Sequence, residues 1–300
     1  MDPLLIPFGF GVGFLIGMTG MGGGSLMTPL LILVFGTAPV TAVGSDITYA
    51  AATKTVGGWR HLRLRTVNLG LSFWLAIGSV PAAIAGVWLI EWLHDRYGSD
   101  LDNIVLTMLA IALVVVGGVV LIRALFMRKA VNGEREAFEL TRRHKVAAVA
   151  IGASTGLVIG LTSAGSGTLI AVFLIAYYRL VPRNVVGTDV FHAAILLWAA
   201  AVAHVVAGNV DFGLVAAILL GSLPGVWIGS HVSVRLPSGF LRVALGTVMI
   251  AASLALFDKA GVELPLAAII GVPVVLAAAL GLRALGRTRT VRPASSPGKP

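Results

Sequence analysis

"GMTGMGGGSLMTP", residues 17–29, carries five glycines and is flanked by apolar runs on both sides. Glycine costs a helix roughly 1 kcal/mol per residue relative to alanine, so such a segment interrupts a helix. A thinner version, "GLTSAGSGTLIAV", occupies residues 160–172. The two are one feature seen twice, because Gly160 minus Gly17 gives a shift of 143 that holds elsewhere. It carries Thr19 to Thr162, Gly22 to Gly165, Gly24 to Gly167 and Pro39 to Pro182. It carries Val43-Gly44-Ser45-Asp46 onto Val186-Gly187-Thr188-Asp189, His61 onto His204, and Gly78-Ser79-Val80-Pro81 onto Gly221-Ser222-Leu223-Pro224. So many uncommon residues in one ungapped register mark an internal duplication.

The chain that holds this repeat is 57% hydrophobic and 12% charged, with a mean hydropathy of +0.96. A soluble globule is usually about twice as charged. The composition therefore predicts an all-α, polytopic helical membrane protein. The net charge of +9 does not point to nucleic acid, because the basic residues fall in a few short segments and the tail. The positive-inside rule produces that distribution. With no cysteine, disulfides, thiolate chemistry and cysteine metal sites are excluded. No cleavable signal is expected, since "MDPLLIPFGF" lacks a basic start and runs into the glycines. "GMTGMGGGS" also lacks the G-K-[ST] ending of a P-loop.

Charge orients the halves. "RHLRLR" (60–65), residues 123–145, Arg179 with Arg183, Arg235 with Arg242, and the arginine-rich tail read as cytoplasmic. "EWLHDRYGSDLDN" (91–103), "AGNVD" (207–211) and "DKAGVE" (258–263) read as external. His61 then lies inside and His204 outside, so the repeats are inverted, a pattern of secondary transporters. The N-terminus is expected outside and the C-terminus in the cytoplasm of a plasma-membrane protein.

Residues 146–160 and 167–180 would make helices of ~15 residues, or ~22 Å, short against a hydrocarbon core of ~30 Å. A re-entrant hairpin with its glycine tip near mid-membrane follows, and by symmetry residues 4–35 form another. Full spans are expected at 42–59, 67–90, 104–124, 186–206, 213–233, 239–257 and 263–284. The organisation is a first membrane repeat (1–122), a cytoplasmic connecting loop (123–145), a second repeat (146–257), an extra helix (258–285) and a disordered tail (286–300).

Irregular backbone within a membrane is tolerated where it is buried in protein or lines a watery cavity. Glycine tips let backbone N–H groups face a ligand, and a helix restarting there presents its positive end. The candidate anion-binding residues are Thr19, Gly22, Gly23, Gly24, Ser25, Thr162, Ser163, Gly165, Ser166, Gly167 and Thr168, with Thr28 a further hydroxyl donor. The competing reading is close helix packing. It accounts for Gly9, Gly13 and Gly17, but three adjacent glycines in "MGGGS" cannot share one face.

Coupling or gating candidates are Asp46, Asp189, His192, Lys54, His61 and His204, since ionisable groups within a membrane are functional by default. Against this, Ser45 and Thr188 can cap helices and leave each Asp in a first turn. Lys54, whose repeat position is Leu197, can carry charge for the substrate or snorkel to the basic edge, with snorkelling favoured. His192 stands three residues beyond Asp189 and can exchange a proton with it. His61 and His204 also fit ordinary boundary residues. Trp59, Trp74, Trp88 and Trp92 read as interfacial anchors.

Residues 17–70, "GMTGMGGGSLMTPLLILVFGTAPVTAVGSDITYAAATKTVGGWRHLRLRTVNLG", resemble the first repeat of the sulfite exporter TauE/SafE family, also called the 4-toluene sulfonate uptake permeases. "GLTSAGSGTLIAVFLIAYYRLVPRNVVGTDVFHAAI" (160–195) with "HVVAGNVDFG" (204–213) is similar to its second repeat, and the resemblance spans roughly residues 8–257. It implies a non-enzymatic secondary transporter of sulfur-containing anions such as sulfite, sulfoacetate and sulfonates, coupled to an ion gradient, with export as the expected direction. Many members carry Ser where this chain has Asp46 and Asp189. The expected partners are that anion, a coupling proton or sodium ion, the lipid bilayer and, as an assembly to be considered, a second copy in a homodimer. Neither nucleic acid nor a cofactor or metal is expected. A passive anion channel and an intramembrane aspartyl-type enzyme are the alternatives.

Overall fold

The shift that relates the glycine segments also relates helix ends. The computed structural model describes residues 4–19, 24–126, 140–233 and 238–286. Helices α3 (Pro39–Arg63) and α8 (Pro182–Val206) begin and end at positions related by that shift. Proline explains both starts, because its fixed φ suits a first turn and the N–H it lacks would be unpaired there anyway. Helices α4 (Leu69–Tyr97) and α9 (Phe212–Ser233) also begin at matched positions. Each is capped alike: Asn68 Oδ1 accepts from the Leu71 N–H and Asp211 Oδ1 from the Leu214 N–H, both at 3.0 Å.

The remaining helices among the described residues are α1 (Leu5–Thr19), α2 (Gly24–Val34), α5 (Leu101–Phe126), α6 (Arg142–Thr162), α7 (Leu169–Ala176), α10 (Ser238–Lys259) and α11 (Leu266–Gly286). A 3-10 turn, Gly98–Asp100, joins α4 to α5. Five of these helices, α4, α5, α6, α8 and α9, are long and apolar enough to cross a membrane. The chain is therefore an all-α, multi-pass membrane protein.

Three elements depart from the expected lengths. Helix α6 runs for 21 residues rather than ~15, long enough to span. It starts early because Thr141 and His144 form a capping box that draws Arg142, Arg143 and Lys145 into its first turns. Helix α7 has only 8 residues, about 12 Å of rise. Helix α4 also extends past the expected span, taking in Glu91 to Tyr97.

The main packing is between repeats. Helix α1 lies along α9 and α6 along α4, while α3 faces α8 and α5 faces α10. The glycines set the first two contacts. A Cβ on Gly13 would enter the Ser222 backbone and one on Gly17 that of Val226; on the matching pair, Gly156 meets Ser79 and Gly160 meets Ala83. The reverse contacts, Gly221 on Ile6 and Gly78 on Val149, exchange under the same shift. In lipid no hydrophobic force draws helices together, so small residues that let backbones touch supply the attraction. The packing reading of Gly9, Gly13 and Gly17 holds. Trp59, Trp88 and Trp92 are exposed on the outer surface, and Trp74 is half-buried.

Candidate functional site

Because α3 and α8 start at Pro39 and Pro182, Asp46 and Asp189 lie two turns inside their helices and not in a first turn. Ser45 and Thr188 do not cap those helices either. Ser45 Oγ accepts the Asp211 N–H and Thr188 Oγ1 the Asn68 N–H, both at 3.0 Å, across the repeats. The helix-start reading is thus replaced: each hydroxyl serves the neighbouring repeat, and each Asp is interior.

Asp46 is fully buried. Its Oδ2 accepts from Thr28 Oγ1 at 2.5 Å and from Ser163 Oγ at 2.9 Å, while Oδ1 has no partner. Thr28 belongs to α2 and Ser163 to the second glycine segment. One carboxylate oxygen therefore ties the start of one repeat to the tip of the other.

That tip has a defined backbone. Helix α6 stops because Ser163 turns left-handed (φ 59°), and Gly165 (φ 94°) and Gly167 (φ 123°) continue in conformations that side-chain-bearing residues avoid. Thr162 Oγ1 donates to the Val158 carbonyl at 2.6 Å and accepts the Ala164 N–H at 3.2 Å. The Gly165 N–H donates to Ser25 Oγ at 3.2 Å, and a Cβ on Gly24 would enter the Ser163 backbone. The two segments meet, with Gly24 and Ser25 against Ser163 and Gly165. Ser166 and Thr168 are buried beside them.

Lys54 does not snorkel. It is buried, and its Nζ donates to the Ser166 carbonyl at 2.9 Å. The favoured expectation fails because this side chain faces inward on α3, toward the tip, rather than along the lipid surface. Lys54 acts electrostatically on both Asp189 and His192, and Arg123 of α5 acts on Asp189 as well. Asp189 Oδ1, Ser166 Oγ and His192 Nδ1 are buried without a hydrogen-bond partner. His192 Nε2 instead shares a hydrogen bond of 2.8 Å with Ser79 Oγ of α4.

The other candidates fall away from this cluster or outside the described residues. His61 is half-buried at the end of α3 and bonds Thr66 Oγ1 at 2.9 Å. His204 is buried at the far end of α8, where its Nε2 meets the Gly160 carbonyl at 3.1 Å. Thr19 closes α1, with its side chain not described, and Gly22 and Gly23 lie outside the described residues. Thr28, expected as a further hydroxyl donor, is spent on Asp46, and Ser79, which holds His192, was not among the expected site residues. Ser79 was legible as a repeated serine, matching Ser222, but a hydroxyl within an apolar helix carries no sign of the histidine it faces.

Chemically, the cluster offers hydroxyl donors, one ammonium and two carboxylates at the meeting point of two interrupted helices. Among the described residues no group of His, Asp and Glu is placed to hold a metal ion.

Comparison with known proteins agrees with this architecture. Residues 5–256 match the family described as "Sulfite exporter TauE/SafE". The chain is 36% identical over 256 residues to the "Probable membrane transporter protein YjnA" of Bacillus subtilis (strain 168), covering 85% of this chain and 100% of that protein. It is 26% identical over 242 residues to the "Probable membrane transporter protein YdhB" of the same organism, covering 81% and 94%. A "Probable membrane transporter protein" of Xylella fastidiosa (strain 9a5c) is 26% identical over 259 residues, covering 85% and 95%. No solved structure matches the chain significantly.

Proposed function

The chain belongs to the sulfite exporter TauE/SafE family of membrane transporters, and from that premise we propose that it exports a small sulfur-containing anion, sulfite, sulfoacetate or another sulfonate, by alternating access coupled to an ion gradient. The observation that carries the reading is the meeting of the two glycine segments at buried Asp46, with Lys54 bonded to the second tip and Asp189 in the field of Lys54. Hydroxyls and backbone N–H groups suit an oxyanion, and buried carboxylates suit proton carriage by Asp46 or Asp189 with His192. The topology proposed is inverted, with the N-terminus outside, the C-terminus in the cytoplasm and the two glycine segments re-entrant. The short α7 and the exchange of packing contacts under one shift support it. One repeat then rocks against the other around the tips.

Flux into proteoliposomes, challenged with sulfite, sulfate, sulfoacetate and taurine under an imposed pH gradient, tests this. Sulfite or sulfonate flux should follow the proton gradient, and Asp189→Asn should abolish that pH-driven component. Flux indifferent to pH and sodium gradients would instead describe a channel, and no flux of any anion would remove the proposal.

A further inference from the structure

The repeat breaks symmetry in its polar residues. Asp46 is held by Thr28 and Ser163, whose counterparts under the shift are Ala171 and Gly20. Asp189 thus lacks those hydroxyls, and it lies in the field of Lys54, whose own counterpart is Leu197. One carboxylate is clamped by neutral donors; the other is opposed by a buried cation.

The cation has capacity to spare. An ammonium has three donors, and Lys54 uses one, on the Ser166 carbonyl. Ser166 Oγ, on the residue Lys54 bonds, and Asp189 Oδ1 and His192 Nδ1, on residues within its electrostatic reach, are unpartnered although each residue is at least nine-tenths buried. Buried polar atoms are normally paired, so three unpaired ones within the field of a buried ammonium mark a place where something polar binds.

We infer that the transported anion binds at the Lys54 ammonium, against Ser166 of the second tip, and there displaces Asp189 as that ammonium's counter-charge. The inference rests on the transporter reading and assigns the two carboxylates different tasks: Asp46 positions the tips, and Asp189 answers to the substrate. Charge balance then links anion to proton. Arg123 is only half-buried, and the buried pair, Lys54 and Asp189, is neutral together, so an added monoanion leaves one buried negative charge at Lys54, which is costly at low dielectric. A proton taken up by Asp189 restores neutrality. The charged and titratable groups around Asp189 are Lys54 from α3, Arg123 from α5 and His192 on α8, while α4 presents the Ser79 hydroxyl. One proton therefore loads with each monoanion.

The test is equilibrium binding to the full chain in lipid nanodiscs, by calorimetry on both sides of neutral pH with methanesulfonate, a sulfonate monoanion that does not itself titrate there, and with sulfite, sulfoacetate, sulfate and acetate beside it. Wild-type affinity should rise as pH falls. Lys54→Gln should weaken binding about tenfold or more, the scale of one charged hydrogen bond, with partial recovery in Lys54→Arg. Asp189→Asn should bind more tightly than wild type above neutral pH and lose the pH dependence, since no carboxylate competes for Lys54. Folded Lys54→Gln with wild-type affinity would place the site elsewhere and leave the transporter reading intact. A wild-type pH slope in Asp189→Asn would overturn the displacement, and decides the matter alone if Lys54→Gln does not fold. If the wild-type protein binds no anion of the set, the sulfur-anion reading fails and the site with it.

Discussion

At the scale of single residues, Asp46 and Asp189 occupy equivalent places in one duplicated helix and yet have different neighbours. Asp46 spends both its hydrogen bonds on one oxygen, from Thr28 and Ser163. That makes it a staple between α2 and the second tip, and the staple has a measurable strength. Thr28→Val keeps the shape and removes the 2.5 Å donor, so it should lower stability by about 1 kcal/mol, as interhelical hydrogen bonds in lipid do. Ser163→Ala should cost a similar amount, and the two together with Asp46→Asn should be non-additive in a thermal-unfolding mutant cycle. Additive effects would mean that Asp46 does not join the tips. The existence of both aspartates was legible in the repeat, but their partners were not. Hydroxyls from residues 28 and 163 reach Asp46 only because separate helices deliver them, and no spacing along the chain encodes that.

The helices themselves were more readable than their contacts. Each of the seven expected spans overlaps an observed helix, and four of those helices, α4, α5, α8 and α9, are long and apolar enough to cross a membrane; the expected starts at 42 and 186 fall short of the prolines at 39 and 182 where α3 and α8 begin. The lengths of α6 and α7 were not readable, because a capping box at Thr141 and a left-handed Ser163 set those ends locally. Which glycines matter is an element-scale property. Gly11 and Gly13 both lie in α1, but nothing lies within 4 Å of a Cβ on Gly11, whereas one on Gly13 would enter the Ser222 backbone of α9. Gly11→Ala should therefore be neutral or stabilise by up to about 1 kcal/mol. Gly13→Ala should force α1 from α9 and sharply reduce the yield and melting temperature of folded protein. Gly156→Ala, its counterpart on α6 against Ser79, should match it. Equal behaviour of Gly11→Ala and Gly13→Ala in a melting assay would show that the α1–α9 contact does not depend on close backbone approach.

For the whole molecule, the internal repeat carries the proposed inversion across the membrane. The chain has no cysteine, so single cysteines can be introduced without background. Arg63 and Val206 are exposed and related by the shift. In intact cells a membrane-impermeant maleimide should label Val206→Cys and leave Arg63→Cys unlabelled until the membrane is opened. Labelling of both from the same side would make the repeats parallel and overturn the inverted topology. By itself the sequence determined that the chain is a helical membrane protein, that it is duplicated in one register, and that its helices break at the two glycine segments. Those properties are local or additive: hydropathy sums along a segment, proline and glycine act on their own backbone, and a duplication is visible as identity. Only the tertiary structure decided that Lys54 turns inward, that Ser45 and Thr188 serve the opposite repeat, and that the two aspartates have unlike surroundings. Each depends on which helix face meets which, and that is set by close backbone contacts between repeats rather than by any stretch of chain read alone.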